Sequence, residues 1–258
     1  MNFKKVSIAC SFATFGLYAV LILSLFYFFR GERLLDTILS PRTLFSIRLS
    51  LGAATISTVF SVLIALPAAF ALSRYEFSGK RAVDTMLELP MIVSPAALGA
   101  MLLIFFNNPL GLWIQDHGAQ FVFTFYGIVL AQFVTICGVS TRLIKAAMDE
   151  IPVRYEAVAR TLGASPGKAF FTITLPLSRR GIIAASILSW AKALGEFGAT
   201  ITIAGSMAMK TETLPIAIFM RLSSAEIEGT VILILILVSI GLSILYIVRL
   251  LSRGASYA

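Results

Sequence analysis

Two ionisable side chains, Lys192 and Glu196, interrupt an otherwise uncharged run from Gly181 to Ala204. At helical spacing Lys192, Glu196 and Thr200 share one stripe, while Ala191, Gly195 and Ala199 form a small-residue stripe about 100° away that permits close approach of a neighbouring helix. A charge at mid-membrane costs roughly 2.5–3.5 kcal/mol on insertion scales, so both groups are expected to face protein or water, and to pair. Lys ahead of Glu is the weaker order for an in-helix pair, which leaves a partner on another helix open. Such a stripe is either a buried ion pair that fixes packing or the lining of a passage for a charged solute.

Other chemistries find little support. Cys10 and Cys137 are far apart and each lies in an apolar run, which argues against a disulfide framework or thiolate site. The single histidine, His117, is expected in a solvated loop with no histidine partner, so no metal site is built on it. Gly163-Ala-Ser-Pro-Gly-Lys168 looks like a phosphate loop but is one residue short between its glycines, and Ala169 stands where a magnesium-binding hydroxyl belongs. No catalytic group, metal or cofactor is implied, and no nucleotide engine is visible in the sequence.

The elements that must carry the stripe are membrane spans. Apolar residues make up 58% of the 258 and charged residues only 13%, about half the share of a soluble domain. Six stretches approach the roughly 20 apolar residues that cross a bilayer: 6–29, 49–73, 89–106, 121–141, 181–204 and 229–248. Lipid-exposed backbone must satisfy its own hydrogen bonds, so each is read as a helix, in an all-α integral membrane protein of one transmembrane domain, 1–258. Pro67, Pro90 and Pro95 predict kinks or shifted boundaries in spans two and three. The first run exceeds the apolar core of about 7–15 residues in a signal peptide and is read as a retained helix.

Lysine and arginine in the flanks orient the spans. With both termini inside, the cytoplasmic segments hold Lys4 and Lys5, then Arg74, Lys80 and Arg81, then seven from Arg142 to Arg180, then Arg249 and Arg253, fourteen in all. The outer segments hold six, four of them (Arg30, Arg33, Arg42 and Arg48) in the first outer loop. The net charge of +8 is therefore a topology signal and an attraction to lipid headgroups rather than a nucleic-acid footprint.

The longest cytoplasmic segment, about 150–177, reads as helix, break, helix. Asp149-Glu-Ile-Pro152 resembles a helix start, Tyr155, Val158, Ala159 and Leu162 share one side, and Gly163 suits the stop. Ser165 is placed to cap a second short helix beginning at Pro166. Spacing alone is equally compatible with an ordinary amphipathic loop.

Ala157-Val-Ala-Arg-Thr-Leu-Gly163, nine residues and Ile173-Thr-Leu-Pro176 resemble the EAA loop of binding-protein-dependent ABC importer permeases, E-A-A, three residues, G, nine residues, I-x-L-P. Ala157 stands at the family's glutamate position, with Glu156 one residue early. The resemblance implies a type I importer permease of six spans, whose loop between spans four and five is the coupling helix seated in an ATPase subunit. It assigns Glu156, Ala157, Ala159, Arg160, Gly163, Ile173, Leu175 and Pro176 to coupling.

Trp190-Ala-Lys-Ala-Leu-Gly-Glu-Phe-Gly-Ala-Thr200 is similar to the G-E-F-G-A signature of molybdate, tungstate and sulfate permeases. The implied cargo is an oxyanion, molybdate or tungstate first and sulfate or thiosulfate second, and the implied passage residues are Lys192, Gly195, Glu196, Gly198 and Thr200. The implied partners are a second copy of the chain, a pair of ATP-binding subunits and an extracytoplasmic oxyanion-binding protein, in a bacterial or archaeal inner membrane. Met207 to Pro215 resembles the segment following the signature and is a candidate docking element or a plain connection. An ion-coupled secondary transporter is the competing class; it predicts inverted repeats with interrupted helices at matching places.

Overall fold

A computed structural model describes residues 3–29, 31 and 34–253, with side chains through Tyr246. Among the described residues every regular element is a helix: α1 (Phe3–Leu25), α2 (Leu34–Leu39), α3 (Pro41–Arg74), α4 (Lys80–Met86), α5 (Leu89–Ile92), α6 (Pro95–Phe106), α7 (Pro109–His117), α8 (Phe125–Asp149), α9 (Arg154–Thr161), α10 (Pro166–Ala169), a π-helical turn (Phe170–Thr174), α11 (Leu175–Leu194), α12 (Gly198–Ala204), α13 (Leu214–Ser223) and α14 (Ile227–Arg253). Five helical stretches are long and apolar enough to cross a membrane, and a sixth arises if the bent pair Lys80–Ile92 and Pro95–Phe106 counts as one span.

Two long helices organise the bundle. Ser40 accepts a hydrogen bond from the Thr43 amide (3.2 Å) and Pro41 occupies the first turn, so α3 starts well before the expected 49 and continues through Pro67 to Arg74. Its buried face is almost entirely small: Ser46, Ser50, Ala53, Ala54, Ser57, Ser61, Ala65 and Ala69. That face lets α8 approach closely, the geometry expected where lipid removes the hydrophobic drive for helix association. Hydroxyls join the pair at mid-length: Ser61 Oγ is 2.8 Å from Ser140 Oγ, which is 2.8 Å from Ser189 Oγ on α11. Toward the α9 end, Ala65, Ala69, Ile144, Met148, Ile182 and Ala185 form one core cluster. Toward the opposite end, α12 replaces α11, and Ala53, Phe106, Ile128, Ala131, Ala199 and Ile203 form another.

Three expectations are corrected and one is met. Span five is not continuous, because α11 stops at Leu194 and α12 starts at Gly198. Span three bends by 112° between Ile92 and Pro95, where Ser94 caps α6 and Pro95 cannot continue α5, in line with the kink expected from its prolines. The segment assigned to the first outer loop holds α2 and the start of α3, with Arg42 and Arg48 on helix; Arg30 and Arg33 lie outside the described residues, as do the side chains of Arg249 and Arg253. His117 ends α7 instead of sitting in a loop; it is exposed and stacks on Trp113 at 5.0 Å.

The Met207 to Pro215 segment is more than a connection. Thr211, Glu212, Thr213 and Leu214 are buried, and the Leu214 amide donates to Ser50 Oγ at 2.7 Å. Arg42 meets the fully buried Glu212 carboxylate with Nε at 2.7 Å and Nη2 at 2.6 Å. A bidentate guanidinium offsets the burial of that carboxylate and pins the segment to the first turn of α3. Arg42, one of the four arginines on the outer side of the charge count, is thus held there by a structural partner.

Candidate functional site

Two features named by the sequence occupy different levels of the bundle. At one end, α9 and α10 form the helix-break-helix loop. The helix-start expectation for Asp149 is corrected: Asp149 is the last residue of α8, and α9 begins at Arg154 without a side-chain cap. The stop is as expected. Gly163 has φ +88°, its amide donates to Arg160 O (3.0 Å) and the Ala164 amide to Ala159 O (3.0 Å), the paired bonds of a Schellman ending. Ser165 then accepts from the Lys168 amide (3.3 Å) with Pro166 in the first turn of α10.

The two sides of α9 differ sharply. Tyr155, Val158 and Leu162 are 46%, 59% and 84% exposed and form an open apolar face, with the Arg154 guanidinium 5.5 Å from the Tyr155 ring. Ala157, Arg160, Gly163 and Pro166 line an open depression beside it. Glu156 points the other way, buried, 2.7 Å from Arg74 Nε and 2.6 Å from Thr174 Oγ1. Ile173 and Leu175 are half-buried, and Pro176 lies exposed in the first turn of α11. Ala157, Arg160 and Gly163 thus sit on the open side of the loop, Glu156 belongs to its anchorage, and Leu175 packs against the core cluster of Ala65, Ala69, Ile144 and Met148. In the nearby turn after α3, a hydrogen bond from Lys80 to Glu76 (2.7 Å) holds that carboxyl below its ordinary range.

At mid-bundle the Lys192, Glu196 and Thr200 stripe is dissolved by the helix break, and the small-residue stripe goes with it. The Gly195 amide closes α11 on Ala191 O (3.2 Å), and Phe197 leaves helical geometry. Glu196 is 5% exposed and its Oε1 accepts from the Ala199 amide at 3.0 Å, so the carboxylate caps α12, where a negative charge also meets the positive end of the helix. The expected Lys192–Glu196 pair is absent: Lys192 is exposed in the last turn of α11, outside the ion pairs found among the described residues. A charge there suits the negative helix end. Gly195 is exposed, Gly198 half-buried and Thr200 buried with its hydroxyl unpartnered among the described residues.

The half-helices α6 and α12 are locked together. A Cβ on Gly198 would lie 2.9 Å from Ala96 N, and one on Gly99 2.7 Å from Ala199 O. The N-terminal turns of both interrupted spans thus meet at the level of Glu196. Reading from sequence missed this partner; the signal was Ser94-Pro95, a cap and first-turn proline inside an apolar run.

The family model for the "binding-protein-dependent transport system inner membrane component" matches residues 57–257, from mid-α3 onward. The chain belongs to this family. Among its relatives, the molybdenum transport system permease protein ModB of Haemophilus influenzae is 38% identical over 177 residues, covering 67% of this chain and 77% of that protein. The sulfate transport system permease protein CysT of Escherichia coli is 31% identical over 193 residues, covering 74% and 70%. A solved bacterial alginate ABC transporter in complex with an alginate pentasaccharide-bound periplasmic protein matches with a TM-score of 0.79 across 99% of this chain and 95% of that one; at 15% identity it shows the fold alone. The protein is thus a multi-pass permease subunit of an ABC importer, and both the α9 loop and the broken fifth span lie inside the family's matched range.

Proposed function

We propose that this permease is the membrane-spanning subunit of an ATP-driven oxyanion importer whose cargo is molybdate or tungstate. The observation that carries the cargo is the 38% identity to a molybdenum transport permease, together with the Gly195 to Ala199 signature at the broken span. The 31% identity to a sulfate permease supports sulfate or thiosulfate as the second reading. The permease acts with a second copy of itself, a pair of ATP-binding subunits and an extracytoplasmic binding protein, with both termini in the cytoplasm as the charge of the flanks favours. Hydrolysis belongs to the partner, since no phosphate-cradling loop is present.

Each site has a part in this reading. The exposed apolar face of α9, with Ala157, Ala159, Arg160 and Gly163, receives the ATP-binding subunit, and Ile173, Leu175 and Pro176 carry its movement into α11. Lys192 and Gly195 are exposed on the single chain, where a passage between two copies would run, with Glu196, Gly198 and Thr200 just behind them. ATP binding closes the partners, shifts the loops and reorients the spans by alternating access.

The cargo is tested by reconstituting the complete complex in vesicles and following phosphate release. Hydrolysis is expected to rise when the binding protein is loaded with molybdate or tungstate and to stay basal with sulfate. A rise with sulfate alone reverses the order of the two readings, and hydrolysis by the purified permease alone removes the division of labour.

Gly163→Val tests the loop. Nothing lies within 4 Å of a Cβ there, so the cost is conformational: a β-branched residue at φ +88° costs about 1–3 kcal/mol and unwinds the Schellman ending. Co-purification of the ATP-binding subunit and uptake are both expected to fall, while Gly167→Ala, with open space and ordinary φ, stays normal. A Gly163→Val complex that assembles and transports like the wild type excludes this loop as the coupling element.

A further inference from the structure

The second half of the loop grips the bundle through Phe170, whose ring lies 4.6 Å from that of Phe70, and through Leu175. α9 packs mainly on α10 and the π-helical turn. Between it and the end of α3 lies a gap of about 110 Å³ lined in part by Phe70, Arg74, Tyr75, Glu156 and Ala169. One buried guanidinium crosses it.

Arg74 is the last residue of α3 and its side chain is only 5% exposed. Its Nε donates to Glu156 Oε1 at 2.7 Å, Nη2 to Met148 O at 2.9 Å and to Ile151 O at 2.8 Å, and Nη1 to Ser73 Oγ at 2.9 Å. Met148 and Ile151 bracket the end of α8, where carbonyls lack helical partners and a cation is favoured. The same Glu156 oxygen accepts from Thr174 Oγ1, the last residue of the π-helical turn and the entry to α11. Four elements, α3, α8, α9 and the start of α11, thus converge on one Arg–Glu pair.

The geometry points to Arg74 as the positioning residue that makes α9 and the bundle move as one body. It rests on the reading of α9 as the ATP-binding subunit's dock. A displacement of α9 reaches α3 and α8 through the guanidinium and α11 through Glu156 and Thr174. A planar fork with five donors serves this role because it holds a carboxylate and two carbonyls in fixed directions at once; a lysine offers a rotating point charge. Arg74 touches neither ATP nor anion, so its effect appears in how much cargo moves per ATP hydrolysed.

The test uses the complete complex in vesicles, with molybdate uptake and phosphate release measured on the same preparation. Arg74→Gln combined with Glu156→Gln removes both charges and leaves no stranded ion. This double variant is expected to co-purify with the ATP-binding subunit yet move about fivefold less molybdate per ATP, and Arg74→Lys to fall between it and the wild type. An assembled double variant with the wild-type ratio overturns the proposal; if the double variant does not assemble, a wild-type ratio in Arg74→Lys does so. Leu162→Asp, on the exposed face, separates this from the dock itself: it is expected to lose the ATP-binding subunit, and normal assembly there sinks the docking reading independently of the ratio measured for Arg74.

Discussion

Gly99→Val is expected to reduce uptake on the order of tenfold or more and to lower the melting temperature of the purified permease, with Gly52→Ala as a silent control. The reason is the contact between the two interrupted spans. A Cβ on Gly99 would stand 2.7 Å from Ala199 O, 2.8 Å from Ala199 Cα and 2.8 Å from Thr202 Cβ. Two of those atoms are backbone and cannot rotate aside, so α6 and α12 must separate. Overpacking of this kind costs about 1–3 kcal/mol, and valine adds two more methyl groups to the conflict. Separation would also pull Ala199 away from its place beside Glu196. At Gly52, on the same bundle, nothing lies within 4 Å of an added Cβ. Wild-type melting and uptake in Gly99→Val would mean that the two half-helices do not pack this way in the working protein.

What could be read from sequence was local. The ending at Gly163 and the cap at Ser165-Pro166 follow from residues that act on their own backbone within one turn, so spacing suffices to place them. Hydropathy likewise places the long helices, because a bilayer demands length and apolarity more than any pattern. It cannot see breaks inside an apolar run: Leu194-Gly195-Glu196-Phe197 reads as helix until a neighbour supplies Pro95, Ala96 and Gly99 for α12 to pack against. The shared stripe of Lys192, Glu196 and Thr200 dissolves for the same reason, since helical spacing holds only along an uninterrupted helix. Hydropathy also mistakes Arg42 for a loop residue, because the partner that favours it, Glu212, is 170 positions away. Arg74 was invisible as a hub; as one of fourteen inside charges it read only as topology. A bent span, moreover, does not distinguish a secondary transporter from this permease, which bends one between Ile92 and Pro95 and breaks its helix again between Leu194 and Gly198.

Replacing Glu196 by Leu is expected to be far more damaging than replacing it by Gln, and the contrast separates its bond to α12 from the passage role proposed for it. The Ala199 amide needs an acceptor, which the Gln carbonyl still provides and Leu does not; loss of such a cap costs about 0.5–2 kcal/mol, with a buried amide left unpaired besides. Glu196→Leu should therefore melt earlier and assemble poorly. Glu196→Gln should fold and bind the ATP-binding subunit, since Lys192 is exposed and no buried lysine is stranded by the change. What Glu196→Gln does remove is a negative charge behind the exposed Lys192, where a dianion would pass. Combining it with Lys192→Met neutralises the whole site without breaking an ion pair. That double variant is expected to assemble normally yet take up molybdate several-fold more slowly, or with an altered dependence on its concentration, in vesicles carrying the binding protein. If it assembles and its uptake curve overlays the wild type, these charges do not line the passage, and Glu196 is left as the cap of α12.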